Sequence, residues 1–353
     1  MADSSQPFDA LLVLSFGGPE GNDEVLPFLE NVTRGRNIPR ERLKAVGKHY
    51  YHFDGVSPLN ALNREIISHL EDEIDNRGWK LPVYFGNRNW KPFAEDTLAQ
   101  MSRDGVRRAV VFATSAWAGY SGTGQYNDDI KRAQRHLAEQ GLEPVELVKI
   151  RQFFSHPVFV RLMAESLKEA IAKVPAGTKG RTAVVFSAHS VPLTADEEAG
   201  APFESNLYSR QVAEASRLVA RAAGVWDYDV VYQSRSGNPK TPWLEPDVVD
   251  HLEELSDKED IGAVVCCPIG FISDHMEVIW DLDTELKEAA EERGIAYVRA
   301  RTAGPERDFA AMVLDLAEEA AGRREPEFLG EVTVAGGSVD GIASPAVFRG
   351  RAK

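Results

Sequence analysis

Short runs of β-branched and apolar residues alternate along the chain with longer, more polar stretches in which apolar side chains return every three or four positions. The first pattern suits buried strands and the second amphipathic helices, so the order reads as repeated βα units and a mainly parallel sheet. Strands are predicted at residues 9–16, 82–86, 107–114, 145–150, 182–187, 228–234, 262–268 and 295–300. Helices are predicted at 59–77, 92–103, 127–140, 157–173, 203–223, 281–293 and 307–322. The strands form two groups of four, which implies an α/β chain of two similar, doubly wound halves, residues 1–150 and 151–325. Residues 326–353 are rich in Gly, Ser and Ala without a sustained period and read as a loosely ordered tail. A weak repeat supports the division: VLSFGGP at 13–19 and VFSAHSVP at 185–192 both leave a strand through small residues into a proline. Ligands of open α/β sheets sit outside the carboxyl ends of strands, so these loops are where chemistry is expected.

At 353 residues the chain has room for two ordinary cores. Its 40 basic and 55 acidic side chains leave a formal charge of −15, which argues against an electrostatic grip on nucleic acid or anionic lipid. No apolar run approaches the roughly 20 residues of a bilayer span. The opening MADSSQPFDA has neither a basic segment nor an apolar core of a leader, so a cytoplasmic protein without an integral membrane segment is expected. The only cysteines, Cys266 and Cys267, are adjacent on a predicted strand and point to opposite faces; they cannot furnish the four thiolates of an iron–sulfur cluster.

Two segments could carry chemistry. His189 lies at a strand exit, where an imidazole accepts a proton or binds a metal; the plainer use is a hydrogen-bonded turn or core histidine. Further on, Glu277, Asp281 and Glu285 recur every four residues, so a helix would stack three carboxylates about 6 Å apart. Such a column serves a hard divalent cation, or it is a solvated acidic face. One nitrogen and one oxygen from His189 and Glu277 suit a cation in transit better than a closed structural site. In the first half, Arg34, Arg36, His49, Ser57 and Tyr126 are polar, and Phe16, Trp90, Phe93 and Trp117 aromatic, a mixture fit for a flat ligand with anionic edges. The glycines at 17–21 and 119–124 match neither dinucleotide nor Walker patterns.

LLVLSFGGPE, ENVTRGR, GVSPLN, GNRNWKPF, YSGTGQYND, FSAHSVP, YQSRSGNPKTPWLEPD and SDHMEVIWDLD stand in the order found in one family, and over residues 8–325 the chain resembles the ferrochelatases, in particular the actinobacterial form that uses coproporphyrin III. The resemblance implies two chelatase-type domains around a porphyrin cleft and insertion of Fe2+ into the ring to give coprohaem. It implies that His189 is the catalytic histidine and Glu277 its partner carboxylate, both able to touch metal. Asp281 and Glu285 match outer acidic positions that conduct metal inward, and Asp274 and His275 belong to the same motif as supporting residues. Arg34, Arg36, Ser57 and Tyr126 fall on segments that hold propionates, and His49 where some relatives place a basic propionate contact. Where some relatives carry a tyrosine that can touch iron, this chain has Phe16, which can only stack on the ring. Many actinobacterial members bind a [2Fe-2S] cluster through C-terminal cysteines that are missing here. The resemblance further implies a monomer with Fe2+ as substrate, no permanent cofactor, no nucleic-acid partner, and room for transient contact with neighbouring haem-pathway enzymes.

Alternatives of other kinds are a ferrochelatase specific for protoporphyrin IX, a chelatase for another metal, and a non-catalytic haem-binding protein on the same cleft. The anaerobically purified chain should contain no stoichiometric iron and sulfide, because two adjacent cysteines cannot hold a cluster that needs four ligands. Iron and sulfide analysis checks this, and a reproducible pair of irons per chain would contradict it.

Overall fold

A computed structural model describes residues 7–200, 205–236, 240–330 and 346–349. The first half runs β1 (Ala10–Ser15), α1 (Asn22–Val32), α2 (Arg40–His52), α3 (Leu59–Asn76), β2 (Val83–Asn87), α4 (Ala94–Arg103), β3 (Arg108–Ala113), α5 (Gln125–Glu139) and β4 (Glu146–Lys149). The second runs α6 (Pro157–Ala172), β5 (Arg181–His189), α7 (Leu193–Glu197), α8 (Leu207–Ala223), β6 (Asp229–Gln233), α9 (Val248–Lys258), β7 (Ile261–Cys267), α10 (Met276–Trp280), α11 (Lys287–Glu292), β8 (Ala296–Arg299), α12 (Arg307–Ala320) and β9 (Ala346–Phe348). Wider π-helical turns occupy Tyr120–Gly124 and Asp281–Leu286.

All eight predicted strands are present, in two sheets ordered β2-β1-β3-β4-β9 and β6-β5-β7-β8. The first four strands of each sheet pair in parallel. Both sheets thus have the same order: the first strand is flanked by the second and third, and the chain reverses direction of travel beside it. That switch opens a crevice at the carboxyl ends of β1 and β3 in one sheet and of β5 and β7 in the other. The repeat noted in the sequence corresponds to β1 and β5, the strands beside each crevice.

The tail departs from its expected looseness where β9 adds to the edge of β4, antiparallel, with Phe348 opposite Leu147. Arg349 donates to Glu146 at 2.9 Å, and Gln134 donates to the Phe348 carbonyl at 3.0 Å. Pairing covers an edge whose amide and carbonyl groups would otherwise need water. The rest of the tail, 331–345 and 350–353, lies outside the described residues.

Local chemistry sets several helix ends. At α6, His156 Nδ1 accepts from the Val158 amide at 3.2 Å and Pro157 occupies the first position, where its missing N–H costs nothing. α8 ends on Gly224 in the left-handed region. Helices α1, α2, α7 and α9 fall outside the predicted ones; α2 is charged, with Leu43 and Gly47 its only buried residues, so its apolar period is faint.

The largest apolar cluster runs through both sheets, joining Leu11, Val13 and Phe112 of the first to Val184, Phe186 and Val265 of the second. Between them lies an aromatic layer. Phe309 of α12 sits 5.9 Å from Phe112 and 5.8 Å from Phe153, and Phe153 sits 6.0 Å from Phe159 of α6. α12 also packs on α3, bringing the end of the second half against the first. Polar links reinforce this: the Trp117 indole N–H donates to the Gly270 carbonyl at 2.8 Å, and the Ala118 amide to Gln211 Oε1 at 2.7 Å. No helix among the described residues is long and apolar enough to cross a membrane.

Phe309→Ala should lower the unfolding free energy by about 3–5 kcal/mol, the usual cost of a deleted core phenylalanine. A urea unfolding midpoint equal to that of the parent chain would show that the aromatic layer does not hold the halves together.

Candidate active site

His189 is the last residue of β5, which is buried from Ala183 through Ala188, so the strand delivers one imidazole to the mouth of the second crevice. Its Nδ1 lies 2.5 Å from the Ser190 carbonyl, an acceptor only, so Nδ1 carries the hydrogen and Nε2 is the working nitrogen. Nε2 lies 3.3 Å from Glu277 Oε2. The Tyr208 hydroxyl donates to the His189 carbonyl at 2.7 Å and steadies the backbone behind the ring. Gly270 is required beside it: a Cβ there would stand 2.6 Å from the Ala188 Cα.

Glu277 sits in the first turn of α10, after which the helix widens into the π turn Asp281–Leu286. In that wider turn residues five apart align, and Trp280 Nε1 donates to Glu285 Oε1 at 2.9 Å. Glu277, Asp281 and Glu285 therefore do not stand in the regular α-helical ladder expected, and among the described residues no group of three or more His, Cys, Asp or Glu side chains is gathered closely enough to hold a metal ion. Asp281 is held from another strand end, accepting from the Ser234 hydroxyl and from Gln233 Nε2 at 3.3 Å. Ser234 has φ of +64°, a strained conformation for a residue with a Cβ.

The first half reaches the same place through α2. The His49 ring stacks on Trp280 at 4.0 Å with planes 6° apart, and His52 meets that indole edge-on at 5.7 Å. His49 is thus packed against the acidic segment, with the charges of Glu285 and Glu277 opposing the burial that lowers its pKa. Burial, and after it the charge of nearby Glu277, push the Tyr50 phenol pKa well up. From Tyr50 a run of rings leads on through Phe28, 5.9 Å away, to Phe16, another 6.3 Å. Phe16 is 38% exposed at the β1 exit, where Gly17 turns the chain at φ of +82°.

The remaining candidates divide. Tyr126 is buried, its hydroxyl 3.2 Å from that of Thr114, and the Arg88 guanidinium lies 4.6 Å from its ring. Ser57 is buried and packed so tightly on Gly18 that a Cβ on that glycine would come within 2.8 Å of the hydroxyl oxygen. Both residues are at most 5% exposed. Arg34 and Arg36 are exposed on the loop after α1, with Arg34 donating to Asn31 Oδ1 at 2.5 Å. Asp274 turns to Arg299, while the His275 ring packs edge-on against Phe271 at 5.1 Å. Trp90 and Phe93 meet at 6.4 Å, and Trp117 is core.

Sequence reasoning passed over Gln233, Ser234, Trp280, Arg88 and Arg299. The first two stand at the end of a predicted strand, where the crevice rule itself points. Arg88 lies between the rings of Phe16 and Tyr126, its Nε 2.6 Å from Asp129 and its buried Nη2 without a hydrogen-bond partner. Cys266 and Cys267 are buried in β7, and burial pushes the Cys266 thiol up to about 12.

The electrostatics make His189 and Glu277 one unit. Burial lowers the histidine pKa, but the hydrogen bond and charge of Glu277, the Ser190 carbonyl and Asp281 outweigh it, so the net direction is upward from 6.5. Burial likewise raises Glu277, yet His189, then His275 and His49, bring it down to about 2. Asp281 is pushed up to about 7 by burial, against its bond from Ser234 and with the charges of Glu277 and Glu285. The surroundings thus pull the pKa of Glu277 down and push that of Asp281 up, drawing two neighbouring carboxylates apart.

Two sheets of the same strand order, with a His–Glu pair at the crevice of the second and a run of aromatic rings reaching the β1 exit of the first, are those of a chelatase-type α/β protein. The fold agrees with that of SirB from Bacillus subtilis with Fe3+, at a TM-score of 0.51 and 12% identity over 91% of this chain and 99% of that one. The ferrochelatase family model matches residues 8–321, and the chain belongs to the ferrochelatase family. Among its relatives, a coproporphyrin III ferrochelatase of Corynebacterium glutamicum is 57% identical over 96% of this chain and 91% of its own length. One of Mycobacterium sp. is 55% identical over 95% of each.

The histidine's share of stability from the pair is fully present below its unfolded pKa of 6.5 and fades as pH rises through the raised folded value. The carboxylate's share is present above 4.5 and fades as pH falls toward about 2. Both side chains are open to the cleft, at 36% and 55% exposure, so solvent moderates the size of the effect. Titration of the His189 ring protons by NMR should give a pKa above 6.5 in the parent chain and a lower pKa in Glu277→Gln, where only the Ser190 carbonyl and Asp281 still oppose burial. The same pKa in both would show that the pair is not coupled.

Proposed function

We propose that this chain inserts Fe2+ into coproporphyrin III, releasing two protons and giving coprohaem, with His189 and Glu277 as the catalytic residues. The observation that carries the reading is the 3.3 Å contact between His189 Nε2 and Glu277 Oε2 at the end of β5. Family membership and the names of relatives more than half identical support the substrate.

The chemistry follows from charge. A free-base porphyrin must lose its two pyrrole protons as Fe2+ takes their place, and the hydrated ion must exchange water for ring nitrogens. His189 Nε2 is free of the Ser190 contact and backed by a carboxylate, so the imidazolium formed on taking a pyrrole proton is stabilised where it forms. Glu277 offers the hard oxygen that a divalent cation prefers, and Asp281 and Glu285 continue the acidic path outward. Phe16 faces a ring by stacking alone. Arg34 and Arg36 offer exposed donors for carboxylates, whereas Ser57 and Tyr126 reach a propionate only after local rearrangement. In this reading His49 lines the path through its stack on Trp280.

A planar macrocycle hides its nitrogen lone pairs, so a cleft that favours a bent ring spends binding energy on the transition state. His189→Ala should abolish insertion while porphyrin binding, followed by fluorescence, persists. More than a few per cent of parent turnover would remove His189 from the mechanism. Coproporphyrin III should show a higher kcat/KM than protoporphyrin IX, and Arg34→Ala should narrow the gap by roughly tenfold, since a charge-assisted hydrogen bond contributes about 1.5–3 kcal/mol. Equal turnover of both porphyrins by the parent chain would overturn the substrate choice.

A further inference from the structure

Glu277 has one side-chain partner, His189, so its placement depends on the backbone that carries it. That backbone is the five-residue helix α10 followed by a π turn, neither of which is stable by itself. Something outside the segment must impose its shape. Asp274 stands just before α10 and Asp283 within the π turn, so the two bracket Glu277 and Asp281. Both carboxylates converge on one side chain, Arg299. Its Nε donates to Asp283 Oδ1 at 2.7 Å and its Nη2 to Asp283 Oδ2 at 2.8 Å. Its Nη1 donates to Asp274 Oδ1 at 3.0 Å and its Nη2 also to Asp274 Oδ2 at 2.8 Å.

Arg299 ends β8, where it lies opposite Cys266 of β7 and is followed by the bond from the Ala300 amide to the Cys266 carbonyl at 2.8 Å. The anchor is therefore the sheet itself, and the Arg299 side chain is 14% exposed. We infer that Arg299 is a positioning residue for iron insertion, clamping Asp274 and Asp283 to the sheet so that the segment between them presents Glu277 and Asp281 to the incoming metal. The inference rests on the role given to Glu277 above. Only a planar fork can engage two carboxylates two bonds each; an ammonium is a point donor and cannot span them. A cavity of about 330 Å³, lined by Leu62, Thr302, Pro305 and Glu306 together with the three clamp residues, lies against the guanidinium and admits a small solute.

The test uses the full chain, assayed anaerobically for Fe2+ insertion with each substrate varied in turn. Arg299→Lys and Arg299→Ala should lower kcat/KM for Fe2+ by about 10–100-fold, the usual loss when a partner behind a metal ligand is removed, with porphyrin KM held within about twofold. Millimolar guanidinium should restore part of the Arg299→Ala loss, and methylammonium should not. Unchanged kcat/KM for Fe2+, or an equal loss toward both substrates without rescue, overturns the clamp. Asp283→Asn removes one arm at a more exposed position and should show the same Fe2+-selective loss if the arginine variants fail to fold; an unchanged Fe2+ dependence there also overturns it. A Glu277→Gln control separates the two ideas. Loss of insertion in that variant with unaltered clamp variants overturns the clamp alone, whereas parent-level turnover in it overturns both.

Discussion

The two sheets are held at one fixed relation by the aromatic side chains buried between them. Phe112, Phe153, Phe159 and Phe309 touch in sequence, and none can leave without exposing the others to water. A dense core resists small displacements, so crevices at the ends of separate sheets stay in register to within the tolerance that chemistry needs. The indole–carbonyl bond from Trp117 to Gly270 links that layer to the loop that follows β7. Loops could not hold such a site unaided; rigid strand ends can.

On this frame the charged groups are set by opposed forces. Burial acts against the charged forms of both His189 and Glu277, and their mutual attraction reverses it for each. Asp281 lacks so close a cation and shifts the other way. The conformational costs lie nearby: Ser234 is strained to hold Asp281, and the helix after Glu277 opens into a π turn. Strain beside the reacting groups, surrounded by well-packed structure, is how a protein fixes side chains that would prefer to relax.

Strand-forming residues were easy to read because runs of five or six consecutive buried apolar and small positions leave few other options, as in β1 and β7. Helices on the outer face were read when an apolar stripe ran their length and missed when, as in α2, it shrank to two buried residues. His189 and Glu277 were legible as residue types at strand ends, and the family strings gave them partners. What the sequence could not show was contact across long separations. His49, read as a polar contact for a ligand, stacks on Trp280; Ser57 and Tyr126, read only as polar positions, are buried; Asp274, read as a supporting residue, is bound to Arg299. Each of these depends on how α2, the turn before α3, α5 and β8 pack, which no local period encodes. The edge strand β9 was hidden for a related reason, since three residues pairing with a distant strand leave no periodic trace.

The central claim is that one face of a porphyrin meets the His189–Glu277 pair while the aromatic residues of the first half take its other side. The most direct measurement is a crystal structure of the full chain with free-base coproporphyrin III bound. The macrocycle should lie between Phe16 and His189, its pyrrole nitrogens facing Nε2 and its propionates running toward Arg34 and Arg36. A ring bound outside that cleft, with His189 and Glu277 facing only solvent, would contradict the account.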